Sequence, residues 1–398
     1  MKPGAEPGGT GILLVQGRHH DGSVRGEAMI TEAVRERATE LAADAALPAF
    51  VYDLAALRGH AAAVRAALDQ PGAPELFYAA AANPEPPILL ALAPFTDGVH
   101  TSWGGELEHV RTVLPDARLT FGGPGKTDAE LAAALDHGAE RLHIDSPHEL
   151  RRLAALDRDA DVLLRAGDAE GPFGMDFEAM EECRTVLADA PRLRLRGVHA
   201  RPPSGLDAAD LLRRTREILD RTRPWAASAG CEDPEFTFGG GMAVDYTDPG
   251  HRFDWPAYAK GLAELARPGE TFRVEPGRAL SVYSGWYVTE VLDVRRAHGD
   301  WYAVLRGGTM HLRAPAVEGR DQPFTVIPRG RPGPSTDEPV TLVGQLFTPE
   351  DVLARRAPAG RVAVGDVVAF AMSGAHTWDI SPHDPLMRPP PTFHYLAD

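Results

Sequence analysis

Only two cysteines, Cys183 and Cys231, occur in the 398 residues, too few for a disulfide framework or a four-ligand zinc site. No apolar run approaches the length needed to span a bilayer. The N-terminal stretch MKPGAEPGGTG has no apolar core of the signal-peptide kind, so a cytoplasmic location is the expectation. Positive charge is also in deficit: 41 Lys and Arg stand against 57 Asp and Glu, a formal net charge of −16. That balance argues against a nucleic-acid partner or an anionic membrane. Finally, no G-x-G-x-x-G follows the early strand-like runs, which weighs against an open doubly wound nucleotide-binding sheet.

What is present is an ordinary globular composition, 43% hydrophobic and 25% charged, on a chain long enough for two domains. Residues 1–26 hold one short apolar run, Gly11–Val15, read as a strand. Glu27–Ala45 has apolar residues at helical spacing, and Pro48 stops it. Ala49–Tyr52 then reads as a strand opening a new unit. Strand-like stretches follow near Leu76, Gly98, Arg118, Arg141, Val162, Leu195, Glu235 and Phe272, with helix-like segments between them. Eight alternating repeats predict a closed (β/α)8 barrel. After Arg278 the rhythm gives way to short alternating runs punctuated by Gly and Pro, which predicts a β-domain. The expected division is an N-terminal segment (1–46) packing with the β-domain, a barrel (47–280) and the β-domain itself (281–398).

The two last barrel strands end in the most informative residues. Phe236–Phe238 runs into Gly239, Gly240 and Gly241, whose backbone N–H groups can approach a phosphate closely. Phe272–Val274 runs into Glu275, Pro276, Gly277 and Arg278, placing a carboxylate and a guanidinium at a strand end. The loops after strands seven and eight are the usual phosphate site of such barrels. His19–His20 and the pair His143 and His148 around Asp145 lack metal-ligand spacing. The expectation is therefore no metal, with His199 and His311 as barrel-mouth or domain-interface residues.

Ten short motifs then add up in order: PAFVYDL (Pro48–Leu54), YAAAANP (Tyr78–Pro84), GGEL (Gly104–Leu107), FGGPGKT (Phe121–Thr127), IDSPHEL (Ile144–Leu150), the glycines at 239–241, EPGR (Glu275–Arg278), GGTMHLR (Gly307–Arg313), GQLFTPED (Gly344–Asp351) and the tail from Gly374 to Pro391. On these motifs the chain resembles the fold-type III pyridoxal-phosphate (PLP) enzymes, the ornithine/diaminopimelate decarboxylase family, in its siderophore and secondary-metabolism branch. The resemblance spans about Ala49 to Tyr395. It implies an alanine racemase-like α/β fold, PLP as cofactor, an amino-acid-type substrate and a homodimer with a shared active site. It also implies that the glycines at 239–241, Gly277 and Arg278 hold the cofactor phosphate. Glu275 would face the pyridine nitrogen and keep it protonated, and Asp351 would reach across the dimer to a distal substrate amine.

Several positions depart from the family pattern. The lysine that forms the Schiff base falls at Ala81, and neither Lys126 nor Lys260 offers an obvious substitute. The histidine that stacks on the cofactor falls at Arg201. The catalytic cysteine falls at Phe347, which can neither donate a proton nor become a thiolate. The tyrosine at the phosphate falls at His376, which can still donate a hydrogen bond, and the tail carries Pro382, Pro385 and Arg388. A single engineered change would alter one position, so the joint change of Ala81, Arg201, Phe347 and His376 favours divergence, with an engineered change at Ala81 on an already divergent enzyme as the open alternative. Three readings stay open: a decarboxylase-like enzyme disabled or slowed in this form, a non-catalytic homologue that binds a partner or a phosphorylated ligand, and an enzyme of altered chemistry without covalent PLP. Arg201 and Arg388 could instead meet an extra substrate carboxylate.

Overall fold

The computed structural model describes residues 30–167, 172–313, 315, 318–382 and 387–397. The expected strand Gly11–Val15, His19, His20 and Pro385 lie outside the described residues. The first helix runs Glu32–Ala43, and the Thr31 side chain caps it by accepting from the Val34 N–H. It is followed by strand β1 (Ala49–Asp53).

Eight parallel strands then close a barrel: β2 (Glu75–Ala79), β3 (Gly98–Thr101), β4 (Leu119–Phe121), β5 (Ala139–Ile144), β6 (Ala160–Ala166), β7 (Leu193–Ala200), β8 (Glu235–Phe238) and β9 (Thr271–Val274). These coincide with the eight predicted runs. Six of the helices before and between these strands start where short polar side chains cap them. Asp53, Thr127, Ser146, Asp176, Asp207 and Asp254 each accept a first-turn N–H, each worth about 1 kcal/mol of helix stability. The helix Pro86–Leu92, absent from the sequence expectation, begins on two prolines that suit a first helical turn.

The N-terminal end of the barrel is closed by charge. The Arg273 guanidinium, its side chain 1% exposed, bridges Glu75 at 2.7 Å, Glu140 at 2.8 Å and Glu235 at 3.1 Å. The C-terminal end is left for a site.

The second domain is an eight-stranded mixed sheet centred on β10 (Gly285–Ala297), with a separate two-stranded pair, Ser335–Thr336 against Val362–Ala363. Strand β1 pairs antiparallel with β10 and parallel with the C-terminal strand Thr392–Leu396. This corrects the expected boundary at residue 47: Ala49–Asp53 belongs to the second sheet, and the barrel is threaded from Leu54 onward. All five residues of β1 are buried, so its apolar run reads in sequence like a barrel strand.

The second domain also touches the barrel mouth. The His376 N–H donates to the Ala82 carbonyl at 2.8 Å, and Asn83 Nδ2 donates to the Gly374 carbonyl at 3.0 Å. A Cβ on Gly374 would lie 2.0 Å from the Ser281 carbonyl oxygen, so only glycine allows this approach. Among the described residues no helix is long and apolar enough to cross a membrane.

Candidate active site

A cavity of about 370 Å³ opens at the C-terminal end of the barrel, a size that suits a small cofactor or ligand. Ala81, Arg201, Gly239, Gly240, Gly241, Glu275, Gly277, Arg278 and His376 all line it. Residues expected from separate motifs are thus brought to one place by strand ends and the loops that follow them.

Ala81 lies on the 3-10 turn Ala80–Ala82 directly after β2, the first barrel strand. Among the described residues the lysines are Lys126 and Lys260, and neither lines the cavity. Lys126 is buried, with Nζ 2.7 Å from Glu149 Oε1 and donating to the Gly123 carbonyl at 2.6 Å. Lys260 is 75% exposed on a helix and 3.9 Å from Glu264.

Gly240 and Gly241 have φ of +71° and +99°, a region that side chains other than glycine rarely adopt. A Cβ on Gly239 would stand 3.0 Å from His199 Nε2. Gly277 is packed as closely, since a Cβ there would lie 2.8 Å from Ala82 Cβ. Arg278 reaches Glu318 at only 3.4 Å and stays about one-third exposed, leaving donors for a ligand.

Glu275 is buried at the cavity floor, and three histidines that no motif singled out as site residues surround it. His100 Nδ1 is 3.3 Å from Oε1, His143 Nε2 is 3.7 Å from Oε1, and His199 Nε2 is 3.4 Å from Oε2. The Thr120 hydroxyl also donates to Oε1, at 3.3 Å. Burial pushes His100 down to about 4 and His199 down to about 3, and holds His143 well below the ordinary imidazole value. All three rings are therefore neutral near pH 7.

Around the mouth the charge is positive. Arg165 pairs with Asp145 at 2.9 Å. Arg201 makes no hydrogen bond or ion pair to any described residue. Its guanidinium is held below the usual value by burial first and then by the charges of Arg165 and Arg278. His376, pushed down to about 4 by burial and by Arg278, is a neutral donor or acceptor beside them. Arg165 and His100 were not signalled by any motif.

Three expected residues, Asp351, Phe347 and Arg388, do not line the cavity. Asp351 is 2% exposed. Its Oδ1 accepts from the Thr309 N–H and hydroxyl at 2.8 and 2.7 Å, and its Oδ2 accepts from the Leu346 N–H at 2.6 Å. Both oxygens thus tie together the two loops that carry Thr309 and Leu346. Phe347 is 87% exposed on the second domain, and Arg388 donates to the Gln345 carbonyl at 3.3 Å, outside the cavity.

Comparison with known proteins places this geometry. Residues 54–282 match the profile of the pyridoxal-dependent decarboxylase family, pyridoxal binding domain. A 2-[(L-alanin-3-ylcarbamoyl)methyl]-2-hydroxybutanedioate decarboxylase of Staphylococcus aureus is 33% identical over 378 residues, 87% of this chain and 94% of that protein. A diaminopimelate decarboxylase of Actinosynnema pretiosum subsp. auranticum is 29% identical over 381 residues, 89% and 85% of the two chains. Among solved structures, diaminopimelate decarboxylase from Helicobacter pylori complexed with L-lysine superposes with a TM-score of 0.80 at 21% identity, covering 88% of this chain and 92% of that one. That structural likeness establishes the barrel-plus-sheet fold.

Proposed function

The chain belongs to the pyridoxal-dependent decarboxylase family, a PLP-dependent family, and from that premise we propose that it is an amino-acid decarboxylase homologue of secondary or siderophore metabolism that holds PLP without a covalent bond and is inactive or altered in its chemistry. The observation that carries this reading is the position of Ala81. It lines the cavity where the family resemblance puts a lysine, while both described lysines are committed elsewhere.

The remaining residues fit the cofactor. The positive-φ glycines and Arg278 would hold its phosphate, and the Glu275 carboxylate would sit at its ring nitrogen. When bound, the cofactor supplies an electron sink for charge left at the substrate carbon. The chain's own groups would bind and orient. Glu275 would favour the protonated ring by proximity of charge, and the neutral His376 would offer a hydrogen bond near the phosphate. With no lysine at 81 and an exposed phenylalanine at 347, the described residues of the cavity offer neither amine nor thiol for returning a proton to the product carbon.

Arg201 supports a substrate class. A guanidinium with no partner among the described residues, in a cavity that already has Arg278 for the phosphate, suits a second anionic group. The name of the Staphylococcus aureus relative describes an amino acid joined to a hydroxybutanedioate, a substrate with extra carboxylates. A homodimer and a cytoplasmic location complete the reading.

The non-catalytic alternative rests on the same losses, and the response to Ala81→Lys separates it. Carbon dioxide release from PLP-loaded protein with carboxylate-rich amino acids is expected at background for this chain. Ala81→Lys is expected to raise it by about 100-fold or more, the usual scale of a positioned acid–base group. Release by the unaltered chain at the rate of the lysine variant would overturn the reading of an inactive enzyme.

A further inference from the structure

The layer of side chains at the top of the barrel has a composition its position does not call for. In such barrels, alternate strands contribute four side chains to each interior layer, mostly branched apolar ones. Here β3, β5 and β7 contribute His100, His143 and His199, and the residue directly after β9 is Glu275. The rings stack: His100 on His143 with centroids 5.1 Å apart at 12°, and His143 on His199 at 4.3 Å and 25°.

The layer has unmet hydrogen-bonding capacity. His143 is 1% exposed, yet among the described residues neither of its ring nitrogens has a hydrogen-bond partner, and His199 Nδ1 also lacks one. Buried polar atoms without partners are rare and costly, and an ion is one of the explanations they call for. Loop glycines clear the space for the rings. A Cβ on Gly122 would lie 2.6 Å from His100 Cε1, and one on Gly239 would lie 3.0 Å from His199 Nε2.

We propose that His100, His143 and Glu275, with His199 as a further donor, bind one divalent transition-metal ion at the cavity floor. One ligand atom from each of the first three lies within 4.8 Å of the others. The imidazole nitrogens sit 3.3–3.7 Å from the carboxylate oxygens. Donors about 3.3–3.6 Å apart are what four-coordinate bonds of about 2.0–2.2 Å require. Neutral imidazole and ionised carboxylate are the binding forms of these ligands. Two imidazoles and one carboxylate with a side open to a cavity is a donor set suited to Fe2+ or Zn2+. Thr120 contacts both His100 Nδ1, at 2.9 Å, and Glu275. It would keep its bond to the carboxylate as an outer support. The inference goes beyond the cofactor reading, because the metal would draw on the carboxylate that would otherwise face the cofactor ring.

The test is a Co2+ titration of the chelator-treated full chain, followed by visible ligand-field absorption and by metal counting, with a PLP titration run in parallel. One Co2+ per chain is expected. His143→Ala and His100→Ala should weaken binding roughly 10- to 100-fold, whereas Arg278→Ala should lose PLP affinity and keep Co2+. His100 lies at the less buried edge of the layer, so its variant serves if His143→Ala does not fold. Absence of stoichiometric Co2+ binding, or both histidine variants binding like the unaltered chain, would overturn the proposal. PLP binding without Co2+ binding would sink the metal site and leave the proposed function standing. Co2+ binding without PLP binding would do the reverse. If both bind, each should weaken the other; independent binding would overturn the assignment of Glu275 to the metal.

Discussion

Lys126 sits on a loop beside the cavity, but its ammonium is closed in against Glu149 at 2.7 Å, with the two side chains 1% and 5% exposed. Its substitution by Met would leave the Glu149 charge buried and unpaired. Breaking such a pair costs about 3–5 kcal/mol, so Lys126→Met should lower the urea midpoint sharply while the surviving folded protein keeps its PLP affinity. Unchanged stability with lost PLP binding would instead make Lys126 the missing cofactor amine. At this scale the sequence was informative where chemistry follows a strand end in a short motif. Glu275, Gly277 and Arg278 are neighbours, and so are the three glycines before them. The histidine layer was not legible, because its members stand singly on three strands and only barrel closure stacks them. The surroundings of Asp351 were hidden for a related reason: its motif position says nothing of the Thr309 and Leu346 donors that hold its carboxylate.

Among the elements, the eight barrel strands were readable because each is a short run with apolar residues between helical segments, most of which carry a side-chain cap. What was lost lay in ambiguous segments. The strand Val352–Ala357 carries two consecutive arginines, Thr392–Leu396 lies almost at the chain end, and fully buried β1 resembles a barrel strand although it pairs with β10. Pairing partners are set by tertiary contacts, which an apolar run does not encode. The closed end of the barrel offers a prediction at this scale. Arg273 ties β9 to carboxylates on β2, β5 and β8. Arg273→Ala would remove the buried cation shared by all three, leaving Arg118 with Glu75 and Glu140 and Arg141 with Glu235, and should destabilise the barrel by about 1–3 kcal/mol, read from equilibrium unfolding. A change below about 0.5 kcal/mol, as for ordinary surface substitutions, would show that the network does not hold the barrel together.

For the whole molecule, a net charge of −16 beside the arginines at the cavity mouth would steer an anionic ligand toward that one opening. The second domain exposes apolar side chains: Phe347 is 87% and Met387 96% exposed. They flank Gln345 and Arg388, which are hydrogen-bonded to each other. Single exposed apolar residues are common, but two of them on segments joined by that bond would suit the proposed dimer. Phe347→Glu should convert a dimer to a monomer in light scattering after size exclusion, and a monomer in the unaltered chain would rule the dimer out.

Whether PLP is held here by non-covalent contacts alone decides the functional reading. A calorimetric titration, followed by borohydride reduction and intact-mass measurement, settles it in one preparation. Binding of one PLP per chain is expected, with loss of that binding in Glu275→Ala and Arg278→Ala and an unchanged protein mass after reduction. An absence of binding, or a mass increased by one covalently fixed cofactor, would overturn the proposal.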